Sequence, residues 1–388
     1  MRYKLTLKNS KSTAKSKKSS APKKNNDILS GKSRFKYFSG RSLWGNSSLA
    51  GRIFIILIAL LILLTTFTYG IAQYYVQKHA DEPLKIGATF IPNYAEYFGL
   101  DAKETLQASI DDLGIKRYRL VTYWKDYEPE PDQYNFEKLD WQFDMIEKAG
   151  GEVALALGLR QPRWPECHGP EWAMAKSVPD WTEDLKEFMG VVIDRYKDRD
   201  VLFEYQLENE FFLSVFGECP DFSRERLVDE FNYVKAKDPS RRVMVSRSNN
   251  ATPSWPINEP RADIVGASIY KRVYDKTVTK RYFEYPYPSW FYSFLAGATE
   301  ITTGRNTMIH ELQTEAWLPE GMSMKTASLE ELYETYGPDR VESRIAYGVN
   351  TGIKTIDVWG IEWWYHMKTK RGAPEIWDNT KTELAKYR

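Results

Sequence analysis

From Leu84 to the C-terminus, short apolar runs alternate with stretches whose apolar residues recur at helical spacing. The runs predict eight strands: 85–90, 116–122, 152–158, 201–207, 242–246, 263–269, 306–310 and 354–359. The intervening pattern predicts helices over 100–114, 136–150 and 181–196. In the second of these, Phe136, Leu139, Phe143 and Ile146 fall on one face, and Gly150 supplies a stop. Alternation of this kind argues for an α/β fold, a parallel sheet covered by helices. Eight strands in roughly 300 residues fit a single (β/α)8 TIM barrel over 84–388. An open doubly wound sheet is the alternative, and no GxGxxG follows the first strand to favour it. The fifth connection, 247–262, is rich in Pro and Asn and too broken for a full helix. The eighth helix is also not legible.

A different pattern precedes the barrel. Residues 53–72, IFIILIALLILLTTFTYGIA, form twenty uncharged positions, long enough to cross a bilayer as a helix. Residues 1–52 hold 14 of the 54 Lys and Arg and only one of the 53 acids, Asp27. Rich in Lys, Ser and Asn, they read as a disordered basic tail. A basic flank on the N-terminal side keeps that side cytoplasmic and exports the remainder, to the periplasm or the cell exterior. Residues 73–83 read as a polar linker. A cleaved signal peptide is the competing reading, with Gly70 and Ala72 at the cleavage position, but the apolar run and its basic flank are long for one.

The overall charge of +1 thus hides a net negative body, which does not look like a nucleic-acid binder. The chain holds 13 Trp, 25 Tyr and 18 Phe, enough for a well-filled core or for a cleft that stacks flat rings. Four His and two Cys without a ligand-like spacing point to no metal site. Nothing in the sequence bears on oligomeric state.

In a barrel, reactive groups gather where strands end, at the C-terminal face. The fourth run leads into Glu208-Asn209-Glu210 and the seventh into His310-Glu311. The third leads into Arg160-Gln161-Pro162-Arg163-Trp164. Paired carboxyls at such ends suit glycosidic cleavage, in which one protonates the leaving oxygen and the other meets the developing cation. Retaining enzymes hold the two about 5–5.5 Å apart. On this pattern, Asn209-Glu210 ending strand four and Glu311 ending strand seven, residues 84–388 resemble the clan A glycoside hydrolases, which include the cellulase-like family 5 and β-galactosidase-like families. The resemblance implies that Glu210 is the acid/base, Glu311 the nucleophile and Asn209 the partner of the sugar 2-hydroxyl. It also implies substrate-side roles for Arg119, Trp124, Tyr270 and Trp359. His168 lies further along than the His such enzymes carry near strand three, and Phe211 stands where Pro is frequent. The implied function is retaining hydrolysis of β-glycosidic bonds in a polysaccharide or oligosaccharide, with no metal or organic cofactor, because both catalytic groups are side chains.

Several alternatives stay open. Glu208 shares a face with Glu210 if the strand stays regular. Glu315, one helical turn beyond Glu311, is a second nucleophile candidate. Trp164, Trp363 and Trp364 join Trp124 and Trp359 as stacking candidates. A glycan-binding barrel without turnover and a transglycosylase are the rival functions. Cys167 and Cys219 each lie roughly ten residues past adjacent strands, whose exit loops are neighbours, so in an oxidising compartment they are expected to pair as a disulfide.

Overall fold

The computed structural model describes residues 48–248, 260–276 and 278–388. Eight parallel strands close into a barrel in the order β1-β10-β9-β6-β5-β4-β3-β2. They are β1 (Lys85–Phe90), β2 (Arg117–Leu120), β3 (Glu152–Leu157), β4 (Leu202–Leu207), β5 (Arg242–Ser248), β6 (Ile264–Ile269), β9 (Asn306–Gln313) and β10 (Thr355–Trp359). Two short strands, β7 (Arg272–Tyr274) and β8 (Tyr282–Glu284), pair as a hairpin between the sixth and seventh barrel strands. The fold is the (β/α)8 barrel, with each apolar run a strand. The seventh runs on through Glu311 to Gln313, all buried from Met308 onward. There the ladder continues where the apolar pattern stops.

The helices follow the amphipathic pattern. Asp101 caps Ala102–Asp111 by accepting from the Glu104 N–H. Glu137–Lys148 buries Leu139, Phe143 and Ile146 against the sheet. The eighth connection corrects the sequence reading: it holds two helices, Ile361–Lys370 and Glu375–Leu384. Their burial of Trp363, Trp364, Ile376 and Trp377 reflects packing on the barrel, which periodicity in so aromatic a stretch does not reveal. Most of the fifth connection, 249–259, lies outside the described residues, as does the basic tail up to residue 47.

The chain divides into two compact units, Met1–Ala59 and Leu60–Arg388. The described part of the first is the start of a helix, Leu49–Lys78. Among the described residues this is the one helix long and apolar enough to cross a membrane. The expected linker is corrected here: the helix continues without a break to Lys78, and Tyr75 is buried. A Cβ on Gly297 would stand 3.0 Å from Ile71 and Tyr75, so this glycine admits the helix to close contact.

Inside the barrel, polar side chains stack in layers. Arg117 and Arg119 are two apart on β2 and both point inward. Toward the strand starts, Arg117 bonds Asp357 of β10 at 2.9 Å and Glu204 of β4 at 2.6 Å. One layer higher, Arg119 reaches Thr89 of β1, Gln206 of β4 and the end of β9. A buried guanidinium is tolerable only with its donors satisfied, and both are.

Candidate active site

A cavity of about 1320 Å³ opens at the strand C-terminal ends, lined by Asn209, Glu210, Tyr270, Glu311 and Trp359 among others. Its floor is built by an irregularity in β9. Ile309 pairs with Ala267 and Glu311 with Ser268, while across the other edge Ile309 pairs with Ile356 and Leu312 with Val358. Both registers therefore gain one residue at His310–Glu311, a β-bulge. In a regular strand these neighbours would face opposite sides. With the bulge, both reach Arg119: Nη1 lies 2.5 Å from His310 Nδ1, and Nη2 donates to Glu311 Oε1 at 2.8 Å. The Tyr270 hydroxyl donates to the other oxygen, Oε2, at 2.7 Å. Burial pushes the Glu311 carboxyl up, but the charge and hydrogen bond of Arg119, with the Tyr270 hydroxyl, outweigh it, so its pKa lies below the usual value. Burial also drives His310 down to about 3, which keeps the ring neutral, with Nε2 against Ser268 Oγ at 2.9 Å.

At the end of β4 the backbone turns sharply. Glu208 and Glu210 have φ of 52° and 44°, in the left-handed region. The strand is no longer regular there, and the two carboxyls part. Glu208 turns into the core, accepting from the N–H groups of Leu159 and Arg160 at 2.8 Å and from Arg226 at 2.9 Å. Glu210 lines the cavity, its N–H donating to Ser246 Oγ at 2.9 Å. The Asn209 amide beside it is oriented at both ends. Its oxygen accepts from Gln206 Nε2 at 2.9 Å and its nitrogen faces Glu166 Oε2 at 3.3 Å.

The structure sorts the remaining sequence candidates. Trp164 stands at the rim, 56% exposed, and Trp359 lines the cavity although it is nearly buried. Arg119 is fully buried beneath Glu311 and does not reach the cavity. Trp124 is not at the site: its indole N–H donates to Glu128 at 2.7 Å and its ring packs on Phe188 and Trp172 in the core. Trp363 and Trp364 are likewise core. Glu315 is engaged elsewhere, held by both terminal nitrogens of Arg163 at 2.8 and 2.6 Å and by the Tyr94 hydroxyl at 2.8 Å. The Arg163 guanidinium lies 3.4 Å from the Tyr94 ring centroid and 4.3 Å from that of Trp359. His168 stacks on Tyr123 at 3.7 Å at the cavity wall, and burial holds it neutral with a pKa of about 3.

Sequence reasoning missed Tyr94, Trp317 and Glu166. Each follows a strand by several residues, beyond where a strand-end search looks. Glu166 is a third acid at the site. Burial, and then the like charges of Glu210 and Glu311, lift its pKa to about 8 against the pull of Arg160. Cys167, the next residue, is bonded to Cys219, with Cα atoms 5.3 Å apart. That disulfide ties the loop after β3 to the loop after β4. Arg160 adds bonds to the carbonyls of Asn209 at 2.6 Å and Phe216 at 2.9 Å.

No family model matches the sequence. Among curated proteins the chain is similar to the β-galactosidase BgaH of Haloferax lucentense, 22% identical over 174 residues, which are 39% of this chain and 26% of that protein. The chain therefore matches about a quarter of that relative's length. Among solved structures, a β-galactosidase from Halorubrum lacusprofundi superposes with a TM-score of 0.53 at 12% identity, covering 78% of this chain and 58% of that one. A GH5_18 protein from Streptomyces cattleya, solved with GlcNAc, gives a TM-score of 0.53 at 12% identity, covering 71% of this chain and 70% of its own. At that identity the likeness is one of fold, the (β/α)8 barrel.

Proposed function

We propose that this chain is a retaining β-glycoside hydrolase, held at a membrane by residues 53–72, with Glu311 as nucleophile and Glu210 as acid/base. The environment of Glu311 carries the reading. A buried carboxylate kept ionised by a guanidinium on one oxygen and a phenol on the other is poised to attack. A structural ion pair would have no use for an open cavity in front of it.

In the first step Glu311 attacks the anomeric carbon while the leaving oxygen takes the Glu210 proton. In the second, the Glu210 carboxylate takes a proton from water, whose oxygen displaces Glu311 from the same carbon. Two inversions leave the configuration unchanged. Asn209, its amide fixed by Gln206 and Glu166, serves the hydroxyl next to the reacting carbon. The similarity of the sequence to a β-galactosidase supports a β-linked substrate.

The full chain, screened against a panel of β-linked glycans with the product anomer followed by proton NMR, should release the β-anomer first. Glu311→Gln should lower kcat on the order of a thousandfold or more, as expected for a group without which the chemical step fails. First release of the α-anomer, or near-normal turnover by Glu311→Gln, would overturn the assignment.

A further inference from the structure

The way the long helix meets the barrel bears on what the cavity faces. The helix Ser289–Thr303 leads from the cavity-side connection after β6 down to the start of β9. Ser289 is thus at the mouth end and Thr303 at the base. Residues from Tyr69 to His79 run beside it in the same direction. Tyr69 meets Trp290 edge-on at 5.7 Å, Ile71 and Tyr75 pack at Gly297, and Lys78 and His79 close on Glu300. This part of the helix therefore descends from mouth to base, and β1 starts from the base. Read backwards from Tyr69, the exposed turns Leu60–Phe67 continue past Trp290, at the cavity-side end of its helix, by about 12 Å. These turns are apolar apart from two threonines. A polar linker would leave the barrel free to turn, but here Tyr69 to His79 are packed on Ser289–Thr303, which ties the direction of the mouth to that of these turns.

The cavity itself has two unlike sides. Around Glu311 it is polar, with Tyr94, Arg163 and Glu315. Glu210 gives its proton to the leaving oxygen, so the leaving group must lie over the loop that follows Glu210. That loop offers Leu213, Val215 and Phe216 to the cavity. Val215 is 82% exposed, and Trp164, Phe283 and Met322 are exposed large apolar side chains on the same lining. Together they make an exposed apolar patch of the kind that a bilayer-facing mouth would bury.

We propose that the mouth faces the bilayer that holds the helix, and that the substrate is a membrane-borne glycolipid: a β-glycoside whose leaving group is an apolar lipid alcohol. This rests on the glycosidase reading and narrows it. The sugar occupies the polar side at Glu311, and the lipid alcohol leaves along the apolar loop after Glu210 toward the membrane. Hydrolysis balances as above, the alcohol oxygen keeping the bond electrons and taking the Glu210 proton.

Two measurements on the full chain in phosphatidylcholine vesicles test it. In the first, an environment-sensitive fluorophore is attached at Val215→Cys, at the mouth, or at Lys116→Cys, exposed at the base. The mouth label should shift to the blue and be quenched by brominated lipid, and the base label should do neither. A mouth label that reports bulk water overturns the orientation, whether or not the chain hydrolyses anything. In the second, the same sugar is offered as a lipid glycoside in the vesicles and as a soluble methyl glycoside. The lipid form should be preferred on the order of a hundredfold, the low end of what confinement on one surface gives. Equal rates, or preference for a soluble oligosaccharide, overturn the substrate class. If neither form is cleaved and the labels behave as expected, the glycosidase reading and the substrate fall while the orientation stands.

Discussion

Tyr270→Phe removes one hydroxyl from the site and little else. Its oxygen donates to Glu311 Oε2 at 2.7 Å, while Arg119 holds Oε1 independently at 2.8 Å. The phenol is a dependable donor, because burial and then the charges of Glu311 and Glu210 hold its own pKa well above the usual value. A hydrogen bond to a charged group contributes about 1.5–3 kcal/mol. At about 1.4 kcal/mol per pK unit, its loss should raise the Glu311 pKa by roughly one to two units. Activity needs Glu311 ionised, so it is present above that pKa and lost as pH falls through it. The acid limb of kcat/KM in the variant should therefore move to higher pH by that amount. Phenylalanine fills the same space, so the melting temperature should change little. The measurement is a kcat/KM profile against pH for both proteins on one substrate. An acid limb that stays in place would mean that Glu311 is not the group whose ionisation controls the reaction.

Two further outcomes follow from the loops beside Glu210. Glu166, with a pKa of about 8 in the folded chain, is neutral there over a range in which an unfolded Glu is already ionised. The share of stability that Glu166 contributes should fall as pH rises from about 4.3, the unfolded value, to about 8, then level off. Glu166→Gln lacks this loss, so its melting temperature should gain on wild type across that window; a gap independent of pH would refute the neutral assignment. Replacing both Cys167 and Cys219 by Ser opens a loop closed over a separation of 52 residues, worth about 4 kcal/mol by loop entropy. Urea unfolding of the double variant should show a loss of that order together with a lower kcat/KM, and unchanged catalysis would deny the bond its hold on the Asn209–Glu210 loop.

The barrel was legible where a strand is buried on both sides and reads as a continuous apolar run. β3, EVALAL, is buried from Val153 onward and needs no knowledge of its neighbours to be found. The helix after β10 was not legible for the opposite reason. Ile361–Lys370 carries Trp363, Trp364, His366 and Met367 inward and Glu362 with them, so polar and apolar positions do not separate. The Glu362 carboxylate is accommodated by the Ile91 N–H at 2.5 Å, a contact 271 residues away along the chain. The span from Ile53 was visible as an apolar run, but its end was not. Gln73, Tyr74 and Gln77 look like linker, and the packing that keeps them helical comes from Gly297 and Glu300, far along the chain.

At the site, residue type was legible and direction was not. Glu208 and Glu210 are equivalent candidates while β4 is taken as regular. What separates them is a left-handed turn at each, and the reason for that turn lies in Arg226 and the loop after β3, which give Glu208 a buried set of donors. In β9 the same problem takes another form. Regular alternation would place either His310 or Glu311 inside the barrel, and one inserted residue places both against Arg119. The tryptophans divide on similar grounds. Trp124 and Trp364 are buried with their indole N–H groups on Glu128 and the Thr314 carbonyl, whereas Trp164 sits on a loop and remains exposed at the rim. A strand end marks where chemistry can be placed. Which side chain faces it depends on hydrogen-bond partners that no local pattern contains.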